Sequence, residues 1–490
     1  MVWFLAAAIV AGVLQQQLLL LAVCLPLVVH ALFVRTRVAW CWCLLVGACA
    51  LVGACCAQRL DEDRVRVRRE VAARGAAAIV LDGRVVSYPV TNVYGTAFLF
   101  DAAVAGRPVR LWMQAGFFDV FPGDRIVCAA HVTQPAPGGF LSARGAAGRA
   151  RVQMRDVHRW QRARRFRADT LFWRVHRAAR MRLMRSLPDD AALPLGLLLG
   201  ERGFLPRDLR EAVIALGIAH LLALSGMHLA VIAAGVLALA RGLGVREDAP
   251  LLATLALYVT VVGDVASLWR AFAMVALLVG ARVLMRPLRP LDTLGKALFV
   301  MLLVSPLSAR SPGLQLSFVA TGAVLLAVRR VPILLRARNA RPGARRRALG
   351  WLVRSTAGVI IVGVAVEVLI VPLQLMHFGR VSVVGPLATA VFIVPVTAVQ
   401  VLSFAAAGLG AVPGVGPAVC SALALASRAT VAGILTAAAR APEPLVATGP
   451  WLPAYYLGVV VAWRFPRRPV AWGVAVALVV VAFLWPLRGA

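Results

Sequence analysis

Lysine is almost missing from this chain: Lys296 is its one lysine among 53 basic residues. Acidic residues are also few, 21 in 490, so the formal net charge is +32 and nearly all of it is arginine. Two readings of that excess stand side by side. The guanidinium fork matches phosphate oxygens, so an arginine-rich surface grips phosphate. A GC-rich coding sequence also writes arginine for lysine, which accounts for the choice of residue better than for the size of the charge. A glycine-rich phosphate loop of the Walker type is lacking, and ATP hydrolysis by this chain is not expected. The start, Met1-Val2-Trp3-Phe4, lacks the basic opening of a cleaved signal peptide and is expected to stay as a first span. Cys41 and Cys43 have no Cys or His pair downstream at zinc spacing, and Cys128 stands alone in a polar segment. The eight cysteines read as small hydrophobes, with no metal and no cofactor implied.

What is abundant is apolar sequence, 61% of the chain. Runs such as Val38–Ala57, Val213–Ala240 and Val470–Leu487 reach the ~20 residues that cross a bilayer. The pattern predicts a polytopic α-helical membrane protein. Apolar segments at 2–14, 18–34 and 38–57 form an N-terminal membrane region, 1–57. Residues 58–158 differ in character: short alternating runs at Ala77–Leu81, Ala97–Phe100, Val109–Met113 and Arg125–Ala129, separated by turn residues, predict an external small β-barrel, OB-like, inserted after the third span. Residues 159–190 read as a basic amphipathic helix at the membrane surface, and 191–490 as a multi-span domain with about ten further spans. Alternating the spans puts the basic loops Arg241–Arg246, Arg282–Arg289, Arg329–Arg347 and Arg464–Arg468 inside, with the N-terminus cytoplasmic and the barrel external.

The stretch from Leu141 to Arg185 holds 14 arginines against Asp156 and Asp169. Arg144, Arg149, Arg151, Arg155, Arg159, Arg162, Arg164 and Arg165, interleaved with aromatics, suit a basic face for single-stranded nucleic acid. The same residues would anchor the chain in anionic headgroups, and the two roles are compatible.

Polar residues inside spans are costly and face a cavity or a partner. His220, Ser225, Gly226 and His228 form the first such group; on one helix Ser225 would lie about 140° and His228 about 80° from His220. Asp264, Ser267 and Arg270 form the second, next to Gly263; on an unbroken helix Asp264 and Arg270 point about 120° apart, so either the backbone breaks near Gly263 or each charge has its own partner. Gln315 with Ser317, and Glu367 with Gln374 and His377, complete the set. Glu367 is a conceivable counter-charge for Arg270. Each group is compatible with helix packing or with the wall of a pathway.

These residues carry a resemblance. Gly217-Ile-Ala-His220-Leu-Leu-Ala-Leu-Ser225-Gly226-Met-His228 resembles the signature helix of the ComEC competence proteins. Ala266-Ser267-Leu-Trp-Arg270-Ala271, Gln315-Leu-Ser317-Phe318, and Pro372 with His377-Phe378-Gly379-Arg380 and Pro395 are similar to later motifs of that family, in its order. Two departures are visible: Ala266 stands where a proline is usual, and an asparagine expected near Gly385-Pro386 is missing. The resemblance implies an inner-membrane channel passing single-stranded DNA during natural transformation, working with an external DNA receptor and a cytoplasmic ATPase. Many members carry a metallo-β-lactamase-like domain. This sequence has no His-x-His-x-Asp-His cluster, which implies no metal, no nuclease activity and a separate nuclease if one strand is degraded. A homodimer is left open. Two alternatives remain at this point: a transporter of another anionic or lipid solute, and an intramembrane hydrolase using His220 and Ser225.

Overall fold

The computed structural model describes residues 37–446 and Tyr455, apart from 75–77, 93–94, 105, 117–119, 134–145, 162–167, 264, 286–288, 329–343 and 411. The expected spans at 2–14 and 18–34 therefore lie outside the described residues. So do those at 451–463 (Tyr455 excepted) and 469–486, and so do Arg144, Arg162, Arg164, Arg165 and Asp264.

In chain order the helices are α1 (Arg37–Arg74), α2 (Ala168–Ser186), α3 (Ala192–Leu199), α4 (Arg207–Ala215), α5 (Gly226–Gly242) and α6 (Asp248–Val262). They continue with α7 (Ala266–Val283), α8 (Pro290–Val304), α9 (Pro312–Val328), α10 (Ala344–Phe378), α11 (Gly385–Leu409) and α12 (Val415–Ala438). Among the described residues, four helical segments are long and apolar enough to cross a membrane: Ala266–Val283, Ala357–Phe378, Gly385–Leu409 and Val415–Ala438. Gly226–Gly242, Asp248–Val262 and Pro312–Val328 are apolar but shorter. The protein is a membrane protein with a small barrel.

The chain divides into two compact units. One comprises Met1–Pro206, Leu222–Leu314 and Ala398–Arg428; the other comprises Arg207–Leu221, Gln315–Thr397 and Ala429–Ala490.

The first unit contains the barrel. Its strands are β1 (Ile79–Val85), β2 (Val90–Asn92), β3 (Gly95–Val104), β4 (Arg107–Ala115), β5 (Arg125–Thr133), β6 (Gly148–Val152) and β7 (Val157–Gln161). The order β1-β3-β4-β6-β5 closes because β5 returns to β1, pairing Ile79 with Ala130 through Arg84 with Arg125. All these pairings are antiparallel except β4 with β6, which is parallel, Leu111 opposite Gly148. β1 pairs on both sides around Gly83, where any Cβ would collide with the Asp101 carbonyl, so glycine is required at that crossing. Alternation then fills the interior: Leu81, Phe98, Phe100, Leu111, Met113 and Cys128 are all buried, and each large side chain contributes roughly 1.5–3 kcal/mol of burial. Burial pushes the Cys128 thiol up to about 11.

Cross-strand forks fasten the outside. Arg110 holds Asp101 through two hydrogen bonds, 2.7 and 2.9 Å, and Arg125 holds Asp82 at 2.8 and 2.6 Å. These bonds keep the Asp82 carboxyl below its ordinary range. Arg84 lies directly opposite Arg125, and the Asp82 carboxylate offsets that like-charge pair.

Two segments depart from the expected boundaries. The third apolar segment was expected to end at residue 57, but α1 continues to Arg74. Its charged second half carries i,i+3 pairs, Arg64 with Asp61 and Arg66 with Asp63. Leu60, Val67 and Val71 recur on one face and pack into the barrel core, where Gly148 makes room for Val67. Residues 157–161, partly assigned to the basic interfacial helix, are instead strand β7, added to β5. Trp160 lies against the barrel core and its indole N–H bonds the Asp124 carboxylate at 3.0 Å. The helix proper, α2, starts at Ala168; it buries Trp173, His176 and Leu183 on one face and exposes Leu171, Arg174, Val175, Arg182 and Arg185.

The second unit contains α4, α9 from Gln315 on, α10, the first half of α11, the end of α12 and a two-stranded ribbon of β8 (Arg380–Val381) with β9 (Leu445–Val446). Tyr455 donates its hydroxyl to the Val368 carbonyl of α10 at 2.7 Å.

Candidate functional site

The region read as one span, 211–240, is two helices. Residues 216–225 between α4 and α5 are turns and extended chain. Gly217, at φ 69°, takes the left-handed conformation that ends α4, and a Cβ there would sit 2.9 Å from Ser382 Cβ and 3.1 Å from Gly385 Cα. The helical angles assigned to His220 and Ser225 therefore do not apply.

In the first unit, Ser225 is the N-cap of α5, with extended backbone at φ −133° and ψ 179°. Its Oγ accepts from the Met227 N–H at 3.3 Å, and its own N–H donates to His228 Nδ1 at 3.2 Å. His228 takes the position that Glu or Gln holds in the usual capping box. Because Nδ1 accepts, a neutral His228 ring carries its proton on Nε2. That Nε2 is buried and has no hydrogen-bond partner among the described residues, and His228 is 0% exposed. Gln400 of α11 is also 0% exposed; its amide nitrogen donates to the His228 carbonyl at 3.4 Å, while its Oε1 has no partner among the described residues. A buried donor and a buried acceptor are thus left unmatched on two neighbouring residues.

Arg270 stands one turn into α7 and is 7% exposed. Gly226 lets α7 come close to the start of α5: a Cβ there would lie 3.6 Å from an Arg270 guanidinium nitrogen and 3.7 Å from Ala271 Cβ. Arg270 Nη1 is 3.7 Å from Met274 Sδ. Ser267 Oγ donates to the Leu224 carbonyl at 2.5 Å, fastening α7 to the chain just ahead of the Ser225 cap. Of the two readings left open at Gly263, the backbone break is the one present: α6 ends at Val262, α7 begins at Ala266, and Gly263 has φ 98°. Ser225, Gly226, His228, Ser267 and Arg270 are therefore neighbours in one unit, joined by Gln400.

In the second unit, His220 is exposed; its Nδ1 lies 3.2 Å from the Gly217 carbonyl and its Nε2 3.4 Å from Thr389 Oγ1. His377 Nε2 meets Gln315 Oε1 at 2.8 Å, across 62 residues. Ser317 lies two residues on in α9, where its carbonyl accepts from Thr321. Glu367, half-buried in α10, hydrogen-bonds Gln374 of the same helix.

On the barrel, Arg149 is half-buried and Arg151 exposed on β6, Arg155 is exposed beside Asp156, and Arg159 on β7 stands opposite Val127. Arg159 lines a small surface hollow with Asp82, Arg125, Val127 and Gln161.

Sequence reasoning missed Gln400, Thr389 and Tyr88. Gln400 carried a usable signal, a lone amide in an apolar helix, the same rule that picks out Gln315. Tyr88 carried none. Among the described residues no cluster of three or more metal-ligating side chains occurs.

Residues 197–488, more than half of the chain, match the family described as Competence protein. The chain belongs to the Competence protein family. The match contains His220, Ser225, His228, Ser267, Arg270, Gln315, Glu367, His377 and Gln400, and it leaves out the barrel. ComE operon protein 3 of Bacillus subtilis (strain 168) is similar, with 31% identity over 142 residues. That stretch is 28% of this chain and 18% of the relative, so the similarity spans less than a fifth of that protein. No solved structure matches the chain.

Proposed function

We propose that this Competence-family protein is an inner-membrane channel that passes single-stranded DNA into the cell during natural transformation. The observation that carries the reading is the polar group at the start of α5. A fully buried histidine and glutamine with unmatched polar atoms, beside a buried guanidinium, sit among helices broken at 216–225 and at 263–265. Irregular backbone and ionisable side chains at membrane depth line water-filled or ligand-filled paths in membrane proteins, and an arginine there suits a polyanion.

The barrel supports the same reading. Its strand order, closing β5 onto β1 with a parallel β4–β6 pair, fits an OB-type barrel. Arg125, Arg149, Arg151 and Arg159 point outward from β5, β6 and β7, a basic surface of the kind that tracks a nucleic-acid backbone. We place this barrel outside the cell, following the charge of the loops, with an external receptor, a cytoplasmic ATPase and a separate nuclease as partners.

Deleting the gene in a transformable host tests the proposal. Labelled DNA is expected to bind the cell surface normally and to be absent from the cytoplasm. Normal import in the deletion strain would overturn the channel reading and favour another anionic or lipid solute. A second expectation concerns salt. If Arg149, Arg151, Arg155 and Arg159 each neutralise one phosphate, affinity of the detergent-solubilised protein for single-stranded DNA should fall about 50-fold between about 50 and 200 mM salt. An affinity indifferent to salt would remove the basic surface from the proposal.

A further inference from the structure

At the break between α6 and α7, three backbone carbonyls are held by side chains from three parts of the chain. Gly263 turns the backbone so that the Val265 N–H bonds the Gly263 carbonyl and not that of Val261. The last carbonyls of any helix lack intrahelical partners, and within a membrane protein they must be met from elsewhere. Tyr88 donates its hydroxyl to the Thr260 carbonyl at 2.9 Å. His176 Nδ1 meets the Val261 carbonyl at 3.0 Å, and Trp269 Nε1 donates to the Gly263 carbonyl at 3.2 Å. His176 comes from α2 and Trp269 from α7 itself. Tyr88 comes from the barrel, in the loop between β1 and β2.

Tyr88 also sets the residue at the break. A Cβ on Gly263 would fall 2.6 Å from Tyr88 Cδ2, so the ring occupies the space a side chain would need. Behind the ring lies an ordered group. Trp173 is 5.5 Å from Tyr88 and stacks on His176 at 4.9 Å, and His176 Nε2 is fixed by Glu201 Oε1 at 2.9 Å, which Arg180 also contacts at 3.3 Å. On the far side of the break, Ser267 is tied to the Leu224 carbonyl and Arg270 packs at Gly226. Where α7 begins thus depends on how the break is held, and the barrel holds part of it.

We infer that Tyr88 is a positioning residue for the DNA pathway: its hydroxyl and ring fasten the barrel to the α6–α7 break and so fix the placement of Ser267 and Arg270. The inference rests on the channel reading proposed above. It assigns the barrel a role beyond binding nucleic acid.

Tyr88→Phe in the full chain tests it, since the ring and its packing stay and one hydroxyl is lost. DNA import should fall about tenfold, the scale of one buried hydrogen bond, at unchanged protein abundance and unchanged affinity for single-stranded DNA. Amide hydrogen exchange of 265–271 in the purified protein should rise about tenfold on the same ground, with the barrel strands unchanged. If Tyr88 acts through Arg270, adding Tyr88→Phe to Arg270→Lys should cost little further import, the signature of coupled residues. Parental import, parental exchange at 265–271, or losses that multiply in the double variant would each overturn the inference. Normal import in the deletion strain would instead remove the channel reading, and the exchange measurement would still decide whether the barrel holds the break.

Discussion

Arg270→Met is expected to reduce DNA import at least about 100-fold, equivalent to about 2.7 kcal/mol in an activation barrier, while the protein accumulates normally. Arg270 is 7% exposed among Leu268, Ala271 and the other apolar residues of the α5–α6–α7 cluster. A buried charge in such a place is rarely there for stability. Methionine keeps most of the arginine stem's length and flexibility, so the substitution removes the charge and retains the packing of the stem. Protein abundance and import per molecule together distinguish two roles for Arg270 in this variant. If the guanidinium is a structural tie, Arg270→Met lowers protein abundance and import together, and import per molecule is preserved. If it meets the phosphates of a passing strand, abundance holds and import per molecule collapses. The measurement is internalised, nuclease-protected DNA normalised to membrane-inserted protein. Import per molecule at the parental level would remove Arg270 from the pathway.

Gly263→Ala should destabilise the first unit clearly, costing about 1–3 kcal/mol from backbone strain alone. Gly263 adopts φ 98° and ψ −147°, a region essentially closed to residues with a Cβ. The added methyl would also meet the Tyr88 ring at 2.6 Å, so either the barrel loop or the start of α7 must shift. Gly280→Ala in α7 is the matched control: nothing lies within 4 Å of a Cβ there, and alanine favours the helix. Thermal unfolding of the detergent-solubilised protein should show a clear loss for Gly263→Ala and none for Gly280→Ala. Equal stability of the two variants would mean that the turn at 263 is not held as described.

Physical periodicity made much of this protein legible in its sequence. Twenty-residue apolar runs announce membrane helices because a bilayer is a fixed thickness. The alternating runs between 77 and 129 announce strands because a half-buried strand has period two, and four of the seven barrel strands overlap those runs. The angle of about 120° between Asp264 and Arg270 on an unbroken helix makes a break near Gly263 one of two readings, and the structure has the break. Charge alone places the polar half of α1 in the barrel segment, since a charged helix and a loop share the same composition. Leu60, Val67 and Val71 reveal the helix only once there is a barrel mouth for them to fill.

The site was half visible. Residue type picked out His228, Ser267 and Arg270, because ionisable and hydroxyl groups in an apolar run are conspicuous. Conformation between 216 and 225 was not visible, because an all-round apolar stretch has no face to lose when the helix is interrupted, and only the left-handed turn at Gly217 shows that it is. Gln400 beneath His228, Thr389 beside His220, and Tyr88 over Gly263 are each separated from their partners by 169 residues or more. Linear sequence fixes which groups are costly to bury; which of them meet is settled only when distant segments fold together and each buried donor must find its acceptor.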